Sequence, residues 1–286
     1  ASLKELSSKK VVISCGSIGT TALLLKLKKS SLPKISNALG KGWCGNGDLE
    51  ATIINTRKEA MPTNGPVITY AIKYSYPPYP DGFPHGIFIE DGGFPRFLAW
   101  YIAGKMPSPG SSLHLIKAVW DFLIKLFRKN PEVNIGDEIA KMIDNDDYIR
   151  RAVVLLGMGR DRSDGKIELS DEDEAIVKWR VDNSRLHLER QKREMVKLAK
   201  AVGGRLLLNP ITYMDKLIAV HPLGGCVMAD DPDHGVVKPD GEVFGYPGLY
   251  VVDGSIIPTS TGANPSLTIA AMAERIAEKF TIGRDK

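Results

Sequence analysis

Residues 248–280 read GLYVVDGSIIPTSTGANPSLTIAAMAERIAEKF, and this stretch decides the fold. Leu249 to Val252 form a short apolar run of the kind buried in a sheet, and Asp253-Gly254 ends it. Asn264-Pro265 then opens a strongly periodic helix. Asn is a favoured N-cap, and Pro is favoured at the first helical position because its missing N–H has no intrahelical partner there. The result is a strand, a loop and a helix: one unit of an α/β layer.

A second unit of the same kind stands near the other end of the chain. In KKVVISCGSIGTTALLLKLKK (9–29), Val11 to Cys15 read as a buried strand broken by Gly16 and Gly19. Thr20 or Thr21 is then placed to cap a helix through Leu23, Leu24, Leu25 and Leu27. A lone unit cannot complete a sheet, so its neighbours must come from later in the chain or from elsewhere.

Between these units the pattern changes. The runs ATIIN, PVITYAI and GIFIE, separated by Pro- and Gly-rich breaks over 51–95, predict antiparallel strands with long loops. Residues 97–150 are mostly helical in pattern. Strands return at Ala152 to Met158 and, after an Asp-Gly turn, at Gly165 to Leu169. Residues 171–201 predict a long charged helix ending near Gly203-Gly204. The strands of 51–95 and those after 150 are expected in one mixed sheet with helices on one face.

Composition excludes several classes of function. The net charge of +4 is mild, and basic residues are scattered among acidic ones with no aromatic-interleaved stripe, which argues against nucleic acid. Three cysteines, Cys15, Cys44 and Cys226, make no disulfide framework and fit a reducing, cytoplasmic setting. No G-x-S-x-G elbow, P-loop or H-E-x-x-H occurs, so hydrolase, NTPase and zincin readings lack support. Gly40, Gly42 and Gly45 satisfy G-x-G-x-x-G, but a strand follows them where a dinucleotide fingerprint needs a helix.

Two stretches can carry chemistry. The N-terminal end of a helix opening at Asn264 offers free N–H groups and partial positive charge to an anion. In AVHPLGGCVMADDPDHG (219–235), His221 has a side chain whose ordinary pKa suits taking a proton from a hydroxyl. Each residue also has a plainer reading. Asp253-Gly254 resembles the turns at Asp81, Asp164 and Asp240, Asn264 can be only a cap, and a single histidine is commonly structural. A metal site built from His221, Cys226 and His234 matches no common zinc spacing and is rejected.

Taken together, HPLGGC (221–226), GLYVVDGS (248–255) and NPSLTIAAMAER (264–275) resemble the C-terminal signature of the glucose-methanol-choline (GMC) oxidoreductases. VVISCGSIGTTALLL (11–25) resembles that family's second signature, where the chain re-enters the FAD domain. LGKGWCGNGD (39–48) is similar to the glycine-rich segment of the flavoprotein cholesterol oxidases. GIFIEDGG (86–93) resembles the stretch holding a catalytic glutamate in that branch, which points to Glu90; a plain strand-end carboxylate is the competing reading.

The resemblance implies part of a Rossmann-like FAD-binding domain plus a substrate domain with a mixed, largely antiparallel sheet, an α/β and α+β architecture. The implied division is 1–48 and 237–286 for the FAD-binding domain and 49–236 for the substrate domain. It further implies oxidation of a CH–OH group of a steroid or other lipophilic alcohol by hydride transfer to FAD. His221 then handles the hydroxyl proton and Asn264 positions substrate and flavin, with Gly16, Asp253, Gly254, Pro265 and Ser266 along the cofactor. Donors at such a site favour the charge that develops on a reduced flavin.

The family's pyrophosphate-binding G-x-G-x-x-G is absent, so the resemblance is to a C-terminal portion. It implies a partner polypeptide carrying that motif, without which FAD binding is weak. A non-catalytic piece serving binding or assembly is the alternative. Residues 113–130, LHLIKAVWDFLIKLFRKN, place Lys117, Lys125 and Arg128 beside an apolar helical face. That pattern fits either peripheral membrane contact or packing on the substrate domain.

Overall fold

The computed structural model describes residues 7–95, 147–214 and 216–281. In chain order its elements are β1 (Val11–Ile13), α1 (Gly16–Lys28), β2 (Lys41–Trp43), β3 (Leu49–Ile54), β4 (Ala71–Ser75), β5 (Gly86–Gly92), the single turn α2 (Asp147–Arg150), β6 (Val153–Gly159), β7 (Gly165–Leu169), β8 (Ala175–Lys178), α3 (Arg185–Ala201), β9 (Arg205–Leu208), β10 (Leu249–Val251) and α4 (Ser266–Thr281). The stretch 113–130 falls outside the described residues. Among those that are described, no helix is long and apolar enough to cross a membrane.

The two terminal units find each other. β1 lies parallel to β10, with Val11 opposite Leu249 and Ile13 opposite Val251. Their shared core gathers Ile13 and Leu24 with Leu223, Cys226, Val236, Val251, Ile256 and Ile276. β1 itself is not the buried strand its apolar residues suggest: Val11 and Val12 are 50% and 48% exposed, and only Ile13 turns inward. β1 has β10 on one side and no second strand beside it among the described residues. The helix after it starts at Gly16, so Thr20 and Thr21 are not caps but buried residues of its first two turns.

The antiparallel part is two sheets, not the single mixed sheet expected. Five strands run in the order β4-β5-β6-β3-β9, and a separate three-stranded sheet has the order β2-β7-β8. β6 and β7 are consecutive in sequence but belong to different sheets, so the Asp-Gly turn between them closes no hairpin. The charged stretch after 170 likewise divides. Ala175–Lys178 pairs with β7, and the helix begins only at Arg185. Charged residues on one exposed face suit an edge strand as well as a helix, which is why their composition misleads.

Helix α3 packs on one face of the five-stranded sheet, where Met195 and Ala199 join Leu49, Ile53, Ile87, Ile89 and Leu155. The approach is close because β6 carries glycines beneath it. A Cβ at Gly159 would stand 2.1 Å from His187 Cε1, and one at Gly157 would stand 2.6 Å from Gln191 Nε2.

Candidate active site

The loop 45–48 between β2 and β3 is the hub of the site. Asn46 is fully buried at φ 57°, in the left-handed region that asparagine tolerates better than most residues. Its Oδ1 accepts from the backbone N–H of Thr261 (2.8 Å) and of Gly262 (3.1 Å), while its Nδ2 donates to Ala263 O (2.8 Å). One side chain thereby fixes the loop that delivers Asn264. Gly47 O accepts from Gln191 Nε2 at 3.0 Å, which ties the same turn to α3. Gly45 N–H donates to Asp161 Oδ2 at 3.0 Å; burial pushes that carboxyl up to about 7.

Asp48, the last residue of the turn, holds His221. Its Oδ2 accepts the backbone N–H groups of Val220 (2.6 Å) and His221 (2.8 Å). Its Oδ1 lies 2.9 Å from His221 Nδ1. The hydrogen bond to Asp48 raises the His221 pKa above its ordinary value against the opposing effect of burial, and the Asp48 and Glu90 charges add to the rise. The chain reaches His221 along a close crossing: Leu223 and Cys44 exchange backbone hydrogen bonds at 3.0 and 3.1 Å. Gly224 follows at φ +80°, where a Cβ would fall 2.0 Å from Gly42 O. Only glycine fits, which explains the Gly-Gly after His221.

Asn264 and Glu90 meet across the site. Asn264 Nδ2 donates to Glu90 Oε2 at 3.2 Å. Glu90 is buried within β5 rather than at a strand end, opposite Leu156. Asn264 is not the helix cap. Pro265 O accepts the first helical bond from Ile269 N–H (2.9 Å), so the cap falls one residue later and the asparagine amide is left for Glu90. His221, Glu90 and Asn264 are therefore gathered in one place, with Asp48 behind the imidazole.

Asp253 has a different environment. Its Oδ2 accepts from Gly16 N–H (3.0 Å) and from the Thr20 hydroxyl, and its Oδ1 from Ser255 N–H (2.8 Å). Oδ2 joins α1 to the end of β10 at the positive end of the helix, while Oδ1 caps the turn Gly254–Ile256. A Cβ at Gly16 would meet open space. Pro265, Ser266 and Gly254 line the approach to α4, whose first-turn N–H groups have no intrahelical partners.

The three residues of the rejected metal site are each held elsewhere. His221 binds Asp48, Cys226 lies against Thr21, and His234 pairs with Asp231 on the surface. Burial pushes the Cys44 and Cys226 thiols up to about 12, which leaves neither as a thiolate. Gly40, Gly42 and Gly45 surround β2 and lead into β3, without the helix that a nucleotide fingerprint requires.

Asp48 and Asn46 are the residues that sequence reasoning missed. Their only signal was the string GNGD, which has the composition of an ordinary turn.

Comparison with known proteins fits this geometry, with a family model described as GMC oxidoreductase matching residues 161–273. Over those residues the chain is similar to the GMC oxidoreductases. A cholesterol oxidase of Mycobacterium tuberculosis is 50% identical over 80 residues, covering 28% of this chain and 13% of that protein. A C-glycoside 3-oxidase of Microbacterium trichothecenolyticum is 33% identical over 161 residues, 50% of this chain and 30% of its own length. The fold matches the formate oxidase of Aspergillus oryzae RIB40 with a TM-score of 0.60 at 14% identity, over 96% of this chain and 54% of that one. The chain thus spans about half of that structure, and its matches to the two relatives cover less of them. The GMC-matched span contains His221, Asp253 and Asn264, while Gly16, Asp48 and Glu90 come from outside it.

Proposed function

We propose that this chain supplies the substrate-facing and flavin-facing part of an FAD-dependent oxidoreductase that oxidises a CH–OH group, with a steroid or other lipophilic alcohol as substrate. The observation that carries the reading is the convergence of His221, Asn264 and Glu90 at the start of α4. When bound, FAD supplies the acceptor for the hydride that leaves the carbinol carbon. His221 takes the hydroxyl proton, so that the O–H bond breaks as the carbonyl forms. The Asn264 amide orients the hydroxyl, and its contact with Glu90 holds that amide in place. The N–H groups opening α4, with Pro265 and Ser266, suit a cofactor edge that becomes negative on reduction. The open space at Gly16 suits close approach of the cofactor to the backbone.

The same reading assigns residues 1–48 and 237–286 to the FAD-binding domain and 49–236 to the substrate domain. It assigns the pyrophosphate cradle to an N-terminal polypeptide that docks on the β1–β10 pair. Parallel sheets are ordinarily covered on both faces, and the half-exposed Val11 and Val12 leave such a surface here. A cytoplasmic site of action, with a membrane surface in reach of residues 113–130, completes it.

The test is the complete particle, purified with the N-terminal polypeptide. It is expected to absorb in the flavin range and to bleach anaerobically when a sterol or long-chain alcohol is added. Bleaching by sugars alone would replace the lipophilic substrate class. A colourless particle that takes up no added FAD would overturn the oxidoreductase reading in favour of a binding or assembly role.

A further inference from the structure

The two nitrogens of His221 face different surroundings, and Asp48 makes the difference. An ionised carboxylate is acceptor-only. Oδ2 is committed to two backbone donors, Val220 N–H and His221 N–H, and Oδ1 faces Nδ1. Nδ1 must therefore carry the hydrogen, and in the neutral ring Nε2 keeps its lone pair. The clamp is self-referential, since the same carboxylate grips the imidazole and the backbone N–H of the same residue. It leaves the ring little freedom to turn. The Asp48 side chain is 3% exposed and the His221 side chain 20%, so one end of the pair is sealed and the other open.

We infer that Asp48 is the positioning residue of the site: it fixes His221 as the Nδ1–H tautomer and presents Nε2 as the atom that receives the substrate's hydroxyl proton. This deepens the function proposed above and rests on it. The proton passes from the hydroxyl oxygen to the Nε2 lone pair; FAD, when bound, would supply the acceptor for the hydride of the carbinol carbon. The imidazolium so formed is stabilised by the Asp48 carboxylate at Nδ1. Among the described residues, Asp48 and Glu90 are the charged groups that act on the ring, Asp48 from the β2–β3 turn and Glu90 from β5.

Asp48→Asn separates positioning from mere scaffolding. An amide has one acceptor oxygen where the carboxylate had two. The two backbone donors require that oxygen, so the NH2 group turns toward Nδ1, which then has to accept. The hydrogen is expected to move to Nε2, reversing the tautomer with little change of shape.

The measurement is long-range 1H–15N correlation on selectively histidine-labelled full-length protein without flavin, with His221 assigned by its loss in His221→Gln. Above the histidine pKa, the wild type is expected to show Nδ1 protonated, D48N to show Nε2 protonated, and Glu90→Gln to leave the tautomer as in the wild type. The His221 pKa is expected to fall in D48N. In the flavin-loaded enzyme D48N should lower kcat by on the order of 10³–10⁴-fold, as an equivalent tautomer change does in an Asp-His pair elsewhere, with far less effect on KM.

An Nε2–H tautomer in the wild type would overturn the inference without any variant, and so would an unchanged tautomer in folded D48N. The expected tautomers together with a flavin-loaded protein inert to all alcohols would instead sink the proposed function and leave the Asp48 clamp standing.

Discussion

The turn at 45–48 has a histidine on each side, and the two are treated in opposite ways. His221 lies against the Asp48 carboxylate, which raises its pKa. His187 is fully buried in α3, where it meets the Gly47 backbone carbonyl at 3.4 Å and, among the described residues, no carboxylate. Burial pulls it down to about 4. A carbonyl dipole at that distance does not offset the loss of hydration of an imidazolium, whereas an ionised hydrogen-bonded partner does. One side of the turn is built for a proton that comes and goes, the other for permanent neutrality. The difference comes from the partner each histidine meets across the turn.

The contrast breaks most visibly on activity. His221→Gln is expected to slow flavin reduction by about 10²–10⁴-fold in anaerobic stopped flow with little change in unfolding midpoint, the usual cost of losing a positioned base. His187→Ala should do the reverse, destabilising the fold by about 2–4 kcal/mol in urea unfolding through the cavity it leaves under β6. If both substitutions act alike, the contrast is wrong.

A smaller loss is expected where the turn grips the α4 loop. Asn46→Gly keeps the left-handed backbone and removes only the side-chain bonds to 261–263. About 1–3 kcal/mol of stability should go, read by chemical denaturation, and activity should fall with it as Asn264 loses its support.

Stability against pH sharpens the comparison further. The folded-state pKa of His187 is depressed to about 4, so the unfolded chain binds the extra proton between that value and about 6.5. Its contribution is present above pH about 6.5 and is lost as pH falls toward 4. His85, pulled down to about 4 by burial and the Arg190 charge, acts in the same direction. The raised pKa of His221 works the other way: its contribution is complete below about 6.5 and is lost as pH rises through the folded value. Denaturant midpoints measured from pH 4 to 9 should lose part of their acid limb in His187→Gln and part of their alkaline limb in His221→Gln. At the far end of the scale, Lys29→Ala breaks an ion pair that is more than half exposed on both sides, and no change in midpoint is expected.

The parts of this molecule legible in its sequence are those whose local chemistry admits one conformation. Gly224 and Gly225 follow His221 because backbone passes too close for any side chain, and the β10–α4 pattern survives with only a one-residue shift of the cap. What was illegible depends on partners far along the chain. Asp253 looks like one more Asp-Gly turn, yet its carboxylate belongs to Gly16 and Thr20 of α1. Asp48 ends a string of turn residues, and nothing nearby announces that His221, on another segment, will close over it. The split of β6 and β7 between two sheets is likewise a matter of packing. The strands themselves alternate as expected, but alternation does not say which neighbour a strand will choose.

The parallel pairing of β1 with β10 has a consequence for how the protein is made. Ser14 bonds Val252 across 238 residues of chain, so β1 leaves the ribosome long before its mate exists. At translation rates of about 5–20 residues per second the wait is on the order of 10–50 s. Throughout that interval Val11, Val12 and Ile13 lack their β10 partner, and exposed apolar strands are segments that chaperones hold and that aggregate when they do not. The core under this pair can close only when two segments synthesised 238 residues apart are both present.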